Sequence, residues 1–487
     1  MVLYCKIGIK IPNLQASVYI LFLFPILVFR ILILGDKMPT LMVSISGIRG
    51  IIGDGLDPQV LVQYTSAYSD FIGTGTIVIG RDARITGEMV QSIVTGTLLA
   101  KGLNVIDIGI CPTPTVQYTV KTLGAQGGIA ISASHNPNEW NALKLLNSTG
   151  QFMTPEENIK MLGLLNPTDN KFVPWGNIGK LTLFEEGLKR HVNDAMHLKF
   201  INIDQIRKRK FKVVADCVNG AGAYVIPDLL RQFGCEVIEL DCEKTGIFKR
   251  LPEPLPENLT KTMKAVTEHK ADLGIVVDPD VDRLVLISND GSPFGEENTI
   301  TMAVNFILSK EKGISVVNLS TTRAVDDIAE KYGCKVFRSA VGEANVVKKM
   351  KEVNAIIGGE GSGGVIYPAL HYGRDALVGI AIVLQQLTEF GGSIAEFKKT
   401  LPSYFIAKKK IVLGNINPDE VIKKLVIKYS KENINREDGL RIDFTDHWVH
   451  FRKSNTEPII RIITEAKSEI LAEQLSNKYF DEIKGMF

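Results

Sequence analysis

The sequence predicts an α/β protein, with three similar mixed α/β modules followed by a C-terminal α+β domain. From Met38 to Pro402, short apolar segments alternate with helical stretches, a pattern typical of strands joined by crossover helices. After Pro402 several strand-like segments follow one another closely, which favours antiparallel pairing. With 487 residues, the chain is also too long for a single hydrophobic core.

The composition excludes several classes of protein. A hydrophobic content of 45% with 23% charged residues is typical of globular rather than disordered chains. A net charge of +2 provides no basic field, so we expect no nucleic-acid partner. The six cysteines contain no CxxC pair, which indicates free thiols in a reducing compartment. We therefore expect a cytoplasmic location.

Residues 1–37 form an apolar N-terminal extension. Within it, the 17 residues 18–34 are almost all apolar but include Pro25 and Arg30. This length is at the lower limit for spanning a bilayer, and an arginine there is costly. Met38 begins a segment that resembles a cytosolic start, so we interpret residues 1–37 as an upstream extension, such as an overcalled start codon. A membrane anchor or a signal peptide remains the alternative, and only an anchor would imply a membrane partner.

The first module, residues 38–190, ends a predicted strand in a polar turn that contains Ser134. Strands are predicted at residues 76–79, 105–108 and 129–131, and helices at residues 87–100 and 116–123. The third strand runs into Ser-Ala-Ser-His-Asn-Pro, residues 132–137. Pro137 fixes its own φ and biases the preceding residue away from helix. Ser134 is thus presented on a tight turn, although an ordinary capped loop explains this segment alone equally well.

The second module, residues 191–295, carries three aspartates at alternate positions after a strand. Strands are predicted at residues 211–216, 236–240 and 273–277, and a helix at residues 222–233. In an extended loop, this spacing can turn Asp278, Asp280 and Asp282 towards one point, as a divalent cation requires. Three protein oxygens leave coordination positions open, which favours Mg²⁺ shared with a phosphate. A solvated acidic turn and the nucleophile loop of an aspartyl-phosphate phosphatase remain alternatives.

The third module, residues 296–402, contains a glycine-rich segment at residues 357–365. Strands are predicted at residues 316–319, 335–338 and 355–357, and helices at residues 325–332 and 346–352. The glycines allow close approach to a ligand, while Glu360 and Ser362 offer the hydrogen bonds that a sugar accepts and donates. Glycine-rich turns are common, so this segment alone indicates little.

The fourth domain, residues 403–487, presents donors for an anion around one turn. Strands are predicted at residues 408–411, 439–444, 448–452 and 459–464, and helices at residues 418–431 and 469–483. The turn contains two arginines and several small polar residues: Arg452, Ser454, Asn455, Thr456 and Arg461. Oxyanions require several short donors and bidentate arginine, so we predict a phosphate cradle, with an ordinary polar turn as the alternative.

Together, and in this order, the four loops resemble those of the α-D-phosphohexomutase superfamily over residues 42–464. The resemblance implies a four-domain, heart-shaped molecule whose central cleft receives one loop from each domain. It implies that Ser134 carries a phosphoryl group and binds one Mg²⁺ together with the three aspartates. Glu360 and Ser362 would then contact sugar hydroxyls, and the cradle at residues 452–456, with Arg461 as a further substrate-binding residue, would hold the phosphate that is not reacting.

Further matches extend the resemblance. Arg49, in residues 46–50, is expected near the reacting phosphate, and Arg283 is expected to bind substrate directly after the three aspartates. Lys144 matches a lysine that assists proton transfer, and we expect His135 to be catalytic as well. Residues 80–84 resemble another family loop, or they form structural ion pairs.

The chain also departs from the family pattern. Gly364 stands where the family often has a histidine with an acid–base role. His371 either replaces that histidine or caps a loop, so the general acid–base residue stays open.

The implied reaction moves a phosphoryl group between two positions of one sugar through a hexose bisphosphate, which also serves as activator. Ile-Ser-Ala-Ser-His-Asn-Pro resembles the serine loop of phosphoglucosamine mutases, whereas Ser-Asn-Thr-Glu-Pro is typical of phosphomannomutase/phosphoglucomutase enzymes. We favour glucosamine phosphate, with mannose or glucose phosphates as the alternative, and expect a monomer or a homodimer. A phosphatase that uses Asp278 as nucleophile and a non-catalytic sugar-phosphate sensor are the rivals from other classes.

Overall fold

The computed structural model describes residues 40–44, 47–166, 171–414, 416–453 and 459–486. In these ranges the strands form four β-sheets, which follow one another along the chain. The apolar run at residues 18–34 lies outside the described residues. Among the residues that are described, we find no helix that is both long and apolar enough to cross a membrane.

The first sheet lies within residues 42–183 and has the strand order β1-β2-β7-β6-β4-β5-β8, with β3 beside β2. Its strands are β1 (Met42–Ser44), β2 (Gly47–Ile52), β3 (Gly55–Leu56), β4 (Thr76–Arg81), β5 (Asn104–Ile110), β6 (Gly127–Ile131), β7 (Trp140–Leu146) and β8 (Leu181–Leu183). The accompanying helices are α1 (Pro58–Ile72), α2 (Gly87–Ala100), α3 (Thr113–Leu123), α4 (Pro155–Leu162) and α5 (Glu186–Met196), with a 3₁₀ turn at Trp175–Asn177. The central strands β6, β4, β5 and β8 are parallel.

The second sheet repeats a smaller version of this arrangement, in the order β10-β9-β11-β12. Its strands are β9 (Lys212–Asp216), β10 (Glu236–Leu240), β11 (Leu273–Val277) and β12 (Leu284–Ser288). Its helices are α6 (Ile203–Arg209), α7 (Ile226–Gln232) and α8 (Thr260–Glu268), with 3₁₀ turns at Ala221–Tyr224 and Pro256–Asn258.

The third sheet has the same topology as the second, in the order β14-β13-β15-β16. Its strands are β13 (Ile314–Asn318), β14 (Lys335–Ser339), β15 (Ile357–Glu360) and β16 (Gly364–Ile366). Its helices are α9 (Glu296–Lys310), α10 (Ala324–Lys331), α11 (Glu343–Glu352), α12 (Ala376–Phe390) and α13 (Ile394–Lys398). The first ten residues of α12 are buried, because this apolar part of the helix packs against α9, α5 and α6, whereas its C-terminal end reaches the surface.

The fourth sheet is antiparallel throughout, in the order β17-β21-β20-β19-β18. Its strands are β17 (Phe405–Val412), β18 (Asn433–Asn435), β19 (Leu440–Asp443), β20 (His447–Lys453) and β21 (Ile459–Ala466). Two helices, α14 (Pro418–Lys428) and α15 (Glu469–Lys484), cover one apolar face of this sheet. Buried Leu425 of α14 and Tyr479 of α15 pack into that core.

One arrangement recurs in the first three sheets. A buried parallel strand, β6, β11 or β15, ends in a loop and returns as an antiparallel partner, β7, β12 or β16. We name these connections the serine loop (residues 132–139), the acidic loop (residues 278–283) and the glycine loop (residues 361–363). Because each loop follows the carboxyl end of a parallel strand, it lies at the edge where open α/β sheets bind ligands.

The structure confirms the predicted fold class and corrects some elements. Helix Gly87–Ala100 and strands Glu236–Leu240 and Leu273–Val277 occur as predicted. The helix predicted at residues 222–233 is instead a 3₁₀ turn followed by α7, because Pro227 has no N–H and fits only the first turn of a helix. The first three sheets are mixed, as predicted for these modules, because each combines parallel strands with at least one antiparallel strand. Domain boundaries at residues 190, 295 and 402 stay predictions. All five described cysteines are free thiols.

Candidate active site

The serine loop is held in a strained conformation. Ser134 has a φ of 49°, in the left-handed region that non-glycine residues rarely adopt. Its backbone N–H donates to Ser132 Oγ at 2.9 Å, and Ser132 Oγ in turn donates to Asp82 at 2.7 Å. These bonds hold the turn, and such strain is commonly found at functional positions.

Arg84 supports the same loop from beneath. Its guanidinium donates to the carbonyl oxygens of Ser134 at 2.6 Å, Asn136 at 2.7 Å and Trp140 at 3.1 Å, and also to that of Pro137. The side chain is buried, and it forms an ion pair with Asp82 at 3.0 Å. Residues 80–84 thus contribute a structural ion pair whose arginine also fixes the serine loop.

The Ser134 hydroxyl points at the acidic loop. Ser134 Oγ is almost buried and donates to Asp278 Oδ2 at 2.9 Å. Asp278 Oδ1 accepts the backbone N–H groups of Asp282 and Arg283, each at 3.2 Å. Burial and the neighbouring carboxylates of Asp282 and Asp280 raise the pKa of Asp278 well above its usual value. The first and second sheets therefore meet at this serine and this carboxylate.

Lys144, on β7, balances the other two aspartates. Its Nζ lies 2.6 Å from Asp280 Oδ2 and 3.8 Å from Asp282 Oδ2. Burial alone would lower the pKa of Lys144, but the two carboxylates outweigh it and raise that pKa. Thr113, at the start of α3, donates its hydroxyl to Asp280 Oδ2 and its N–H to Asp280 O. The amine therefore carries its proton, and Asp280 is anchored to the first sheet.

The three aspartates fit a divalent cation. One carboxylate oxygen from each of Asp278, Asp280 and Asp282 lies within 4.8 Å of the others, and all three residues are buried. Among the described residues, Asp280 Oδ1 and Asp282 Oδ1 are buried without any hydrogen-bond partner. Buried carboxylate oxygens normally have one, so these two atoms, together with Ser134 Oγ, are suited to a hard cation such as Mg²⁺.

Cations surround the serine on its remaining side. Arg49 Nη1 donates to Asn136 Oδ1 at 3.1 Å, and His135 Nδ1 lies 3.4 Å from Ser134 Oγ. Burial, assisted by Arg283, Arg49 and Lys144, lowers the pKa of His135 to about 3, so its ring is neutral at physiological pH. Arg283, Arg49 and Lys144 therefore place positive charge beside the serine loop, where an anion such as a phosphate needs it.

The glycine loop lies against the acidic loop. Leu284 N donates to Gly363 O at 2.9 Å. Gly363 has a φ of +87°, and a Cβ there would lie 2.5 Å from the Leu284 carbonyl oxygen, so only glycine fits. Ser362, at the tip, is partly exposed. Glu360 is buried and accepts hydrogen bonds from Asn318 Nδ2 at 2.8 Å and Gly342 N at 2.9 Å.

Arg374 joins two of these loops and was missed by the sequence analysis. Its guanidinium contacts Asp282 of the acidic loop at 2.6 Å, Glu360 at 2.8 Å and Glu343 at 3.1 Å. Burial raises the pKa of Glu343 to about 7, although Arg374 opposes this shift. An Arg-Asp pair before a long apolar helix was the signal available in the sequence.

The fourth sheet brings two arginines together beside the predicted cradle. Arg452 on β20 and Arg461 on β21 are directly opposite in the register, and Arg461 is exposed. Arg452 Nε lies 2.8 Å from Asp438 Oδ2, which also accepts Val341 N at 3.1 Å. This contact links the fourth sheet to the segment that precedes Glu343. The cradle residues Ser454, Asn455 and Thr456 lie outside the described residues.

His371 does not occupy the position expected for an acid–base residue. Its Nε2 lies 3.0 Å from Asp375 Oδ2, which His191 Nε2 also contacts at 2.8 Å, and all three side chains are buried. Thr115 Oγ1 lies 2.9 Å from His191 Nδ1. This cluster packs helices α3, α5 and α12 together. The structure therefore favours a structural role for His371, in place of the acid–base role.

Comparisons with known proteins identify the family of the chain. Four profiles of one family match in chain order: phosphoglucomutase/phosphomannomutase alpha/beta/alpha domain I at residues 41–169, domain II at 189–291, domain III at 296–405 and the C-terminal domain at 409–482. A probable phosphoglucosamine mutase of Methanopyrus kandleri is 34% identical, over 90% of this chain and 97% of its own. A phosphoglucomutase/phosphomannomutase of Thermococcus kodakarensis is 35% identical, over 88% and 95%.

Solved structures show the same fold. A putative phosphomannomutase from Thermus thermophilus superposes with a TM-score of 0.79 at 24% identity, covering 92% of this chain and 100% of that one. An N-acetylphosphoglucosamine mutase of Aspergillus fumigatus, solved with GlcNAc-6P and magnesium, has a TM-score of 0.55 at 13% identity, covering 91% and 95%.

Proposed function

Because the chain belongs to the phosphoglucomutase/phosphomannomutase family of phosphohexomutases, we propose that it interconverts glucosamine 6-phosphate and glucosamine 1-phosphate. In this proposal Ser134 carries the phosphoryl group that is transferred to the sugar. The main observation that supports this proposal is the contact of Ser134 Oγ with Asp278. Ser134 lies on a strained turn, among acidic and cationic side chains.

The chemistry requires two transfers on one serine. A free sugar hydroxyl attacks the phosphorus of phosphoserine 134, the bond from phosphorus to Oγ breaks, and its electron pair stays on Oγ. The hydroxyl proton leaves the sugar, and Ser134 Oγ gains one proton. The serine hydroxyl then donates a hydrogen bond to Asp278 Oδ2, as it does in the structure. The sugar bisphosphate then turns over, and Ser134 Oγ takes the other phosphoryl group by the reverse sequence. Phosphate and proton are both conserved.

The neighbouring cations position the transferred group. Lys144 holds its proton at Nζ beside Asp280, so it is suited to stabilise negative charge on Ser134 Oγ. It can also relay the proton, giving its own to Ser134 Oγ and taking up the one that the sugar hydroxyl loses. Arg49 and Arg283 bind the reacting phosphate, and His135 stays neutral beside the serine. Mg²⁺, held by Asp278, Asp280, Asp282 and the Ser134 oxygen, would neutralise charge that develops on the phosphoryl group.

The remaining loops hold the sugar. Ser362 and Glu360 bind hydroxyls in either orientation of the ring, with Ser362 the more accessible of the two. Arg452 and Arg461, with Ser454, Asn455 and Thr456, hold the phosphate that is not reacting. A hexose bisphosphate phosphorylates Ser134 initially and thereby acts as activator.

A substrate panel tests this function. The full chain, with Mg²⁺ and a trace of glucose 1,6-bisphosphate, is incubated with glucosamine 6-phosphate, glucose 6-phosphate and mannose 6-phosphate, and ³¹P NMR follows the appearance of the 1-phosphates. We expect the highest kcat/KM with glucosamine 6-phosphate and no release of inorganic phosphate. Equal or better turnover of mannose phosphates would contradict the substrate assignment, and phosphate release would favour a phosphatase.

A phosphomannomutase/phosphoglucomutase is the second candidate, and the relative from Thermococcus kodakarensis supports it. The Ser-Asn-Thr-Glu-Pro segment, residues 454–458, favours it as well. The cytoplasmic location and the monomeric or homodimeric state stay predictions.

A further inference from the structure

We propose that Arg374 is a positioning residue that couples occupation of the cation site to seating of the sugar. The proposal rests on the proposed function, because both ligands belong to the same mutase site. Arg374 lies between β16 and α12, outside the serine, acidic and glycine loops.

One guanidinium binds carboxylates from three separate segments. Nη2 donates to Asp282 Oδ2 at 2.6 Å, Nη1 to Glu360 Oε2 at 2.8 Å and Nε to Glu343 Oε2 at 3.1 Å. Asp282 belongs to the acidic loop, Glu360 precedes the glycine loop, and Glu343 begins α11. Because a guanidinium is planar and rigid, it fixes the relative positions of all three carboxylates.

These contacts are shielded from water, so they are strong. The Arg374 side chain is 12% exposed, and those of Asp282, Glu343 and Glu360 are 1%, 4% and 6% exposed. Charge-assisted hydrogen bonds are stronger in such surroundings than at a surface. A shift of one carboxylate therefore moves the guanidinium and, through it, the other two carboxylates.

The backbone that carries Arg374 is itself anchored. Asp375 caps α12 by accepting Leu377 N at 2.9 Å, and its other carboxylate oxygen contacts both His191 and His371. Ala376 N donates to Val281 O, in the acidic loop, at 3.2 Å. The guanidinium therefore extends from a rigid base that is already bound to the acidic loop.

The direction of the coupling follows from charge. A cation at the acidic loop neutralises part of the negative charge of Asp282. Less of the positive charge of Arg374 is then needed there, and more of it can act on Glu360 and on an incoming sugar phosphate. The cation should then strengthen binding of the sugar phosphate, and by reciprocity the sugar phosphate should strengthen binding of the cation.

Calorimetry measures this coupling without turnover. The full chain, with intact mass confirming that Ser134 is unphosphorylated, is titrated with glucosamine 6-phosphate in the absence and in the presence of saturating Mg²⁺. The ratio of the two Kd values is the coupling factor. We expect about 10-fold tighter binding with Mg²⁺ for the natural chain, and less than about 2-fold for Arg374→Lys, which keeps the charge but loses the planar fork.

The matched control is Arg250→Lys. Arg250 is also 12% exposed and pairs with a 1% exposed aspartate, Asp216, at 3.0 Å. We expect this variant to keep the coupling factor of the natural chain. A second variant, Glu360→Gln, weakens the sugar-side contact while Arg374 remains, and it should also lower the factor.

Two outcomes would overturn the proposal. In the first, Arg374→Lys or Glu360→Gln weakens both Kd values equally and leaves their ratio unchanged, as a merely structural role requires. In the second, the natural chain itself shows no coupling. Failure of the proposed function is a different result, namely that the natural chain isomerises no hexose phosphate whatever its coupling factor.

Discussion

Ser134 Oγ and Asp278 Oδ2 are joined by a hydrogen bond of 2.9 Å that connects the first sheet to the second. The serine lies on a turn with a φ of 49°, and the carboxylate is fully buried. Because Arg84 holds the serine loop by its carbonyl oxygens, the hydroxyl is oriented before any ligand arrives. The oxygen that we propose as the phosphoryl carrier and its acidic partner therefore come from different sheets, and their alignment depends on how these sheets pack.

Replacing Ser134 with alanine removes the oxygen that we propose as the carrier of the phosphoryl group. We expect Ser134→Ala to lower mutase activity by at least about 10³-fold, because alanine has no oxygen to which the phosphoryl group could be transferred. Intact mass after incubation with glucose 1,6-bisphosphate should show no phosphorylated chain. Ser92→Ala, on the exposed side of α2, is the control and should keep both activity and phosphorylation. Full activity of Ser134→Ala would exclude the proposed mechanism.

Replacing Lys144 with methionine leaves Asp280 buried without its cation. Breaking such a pair costs roughly 3 kcal/mol, so we expect Lys144→Met to lower the free energy of unfolding in urea by about that amount. Mg²⁺ should restore part of the loss, because it compensates the same carboxylates. Lys199→Met removes an ion pair whose lysine is 67% exposed and should cost less than about 1 kcal/mol. Similar losses in the two variants would argue against a buried pair at Asp280.

Arg84→Lys tests whether the support beneath the serine loop matters for rate. A lysine cannot reach the several carbonyl oxygens that the guanidinium holds, so the serine should be misplaced. We expect kcat to fall about 10²-fold with little change in KM, as measured with glucosamine 6-phosphate. Arg209→Lys is the control, because Arg209 also donates to backbone carbonyls, those of Leu387 and Gly392, outside the site. An unchanged kcat in Arg84→Lys would contradict this role.

The buried carboxyl group of Glu297 should make the free energy of unfolding depend on pH. Burial raises its pKa to about 8 from an ordinary value of 4.5, so the folded chain binds a proton that the unfolded chain releases. The contribution of Glu297 to the free energy of unfolding should therefore fall as the pH rises from about 5 to about 8. Glu297→Gln should remove this contribution, so that its free energy of unfolding in urea titrations falls less with pH, or rises more, than that of the natural chain, whereas Glu311→Gln, at an exposed ion pair, should leave the pH dependence unchanged. Identical slopes in all three chains would show that Glu297 does not titrate in this range.

The sequence was most informative where the signal is local. Strand β11 is an apolar run bounded by polar residues, and β10 combines valine, isoleucine and leucine with two glutamates; both occur at the predicted positions. The three aspartates follow β11 directly, so their proximity could be expected from the spacing alone. The same holds for Ser134, because a polar turn after a buried strand is visible in the chain itself.

Contacts between distant segments could not be predicted in this way. Arg374 meets Asp282 across 92 residues, and Thr113 meets Asp280 across 167 residues. Packing of the sheets decides these pairs, and the sequence around each residue does not show which distant carboxylate it contacts. Helix α12 was also missed, because a helix that is apolar on every side shows no amphipathic period.

The left-handed backbone at Ser134 also limits which alcohol can serve there. A threonine would place a branched Cβ in a conformation that such residues almost never adopt, although its hydroxyl is chemically equivalent. Val218 and Val281 show that this chain can hold a branched residue in that region where the surrounding contacts impose it. Ser134→Thr should therefore be strained rather than neutral, and a redesign of this site that uses threonine would need to rebuild the turn that presents the hydroxyl.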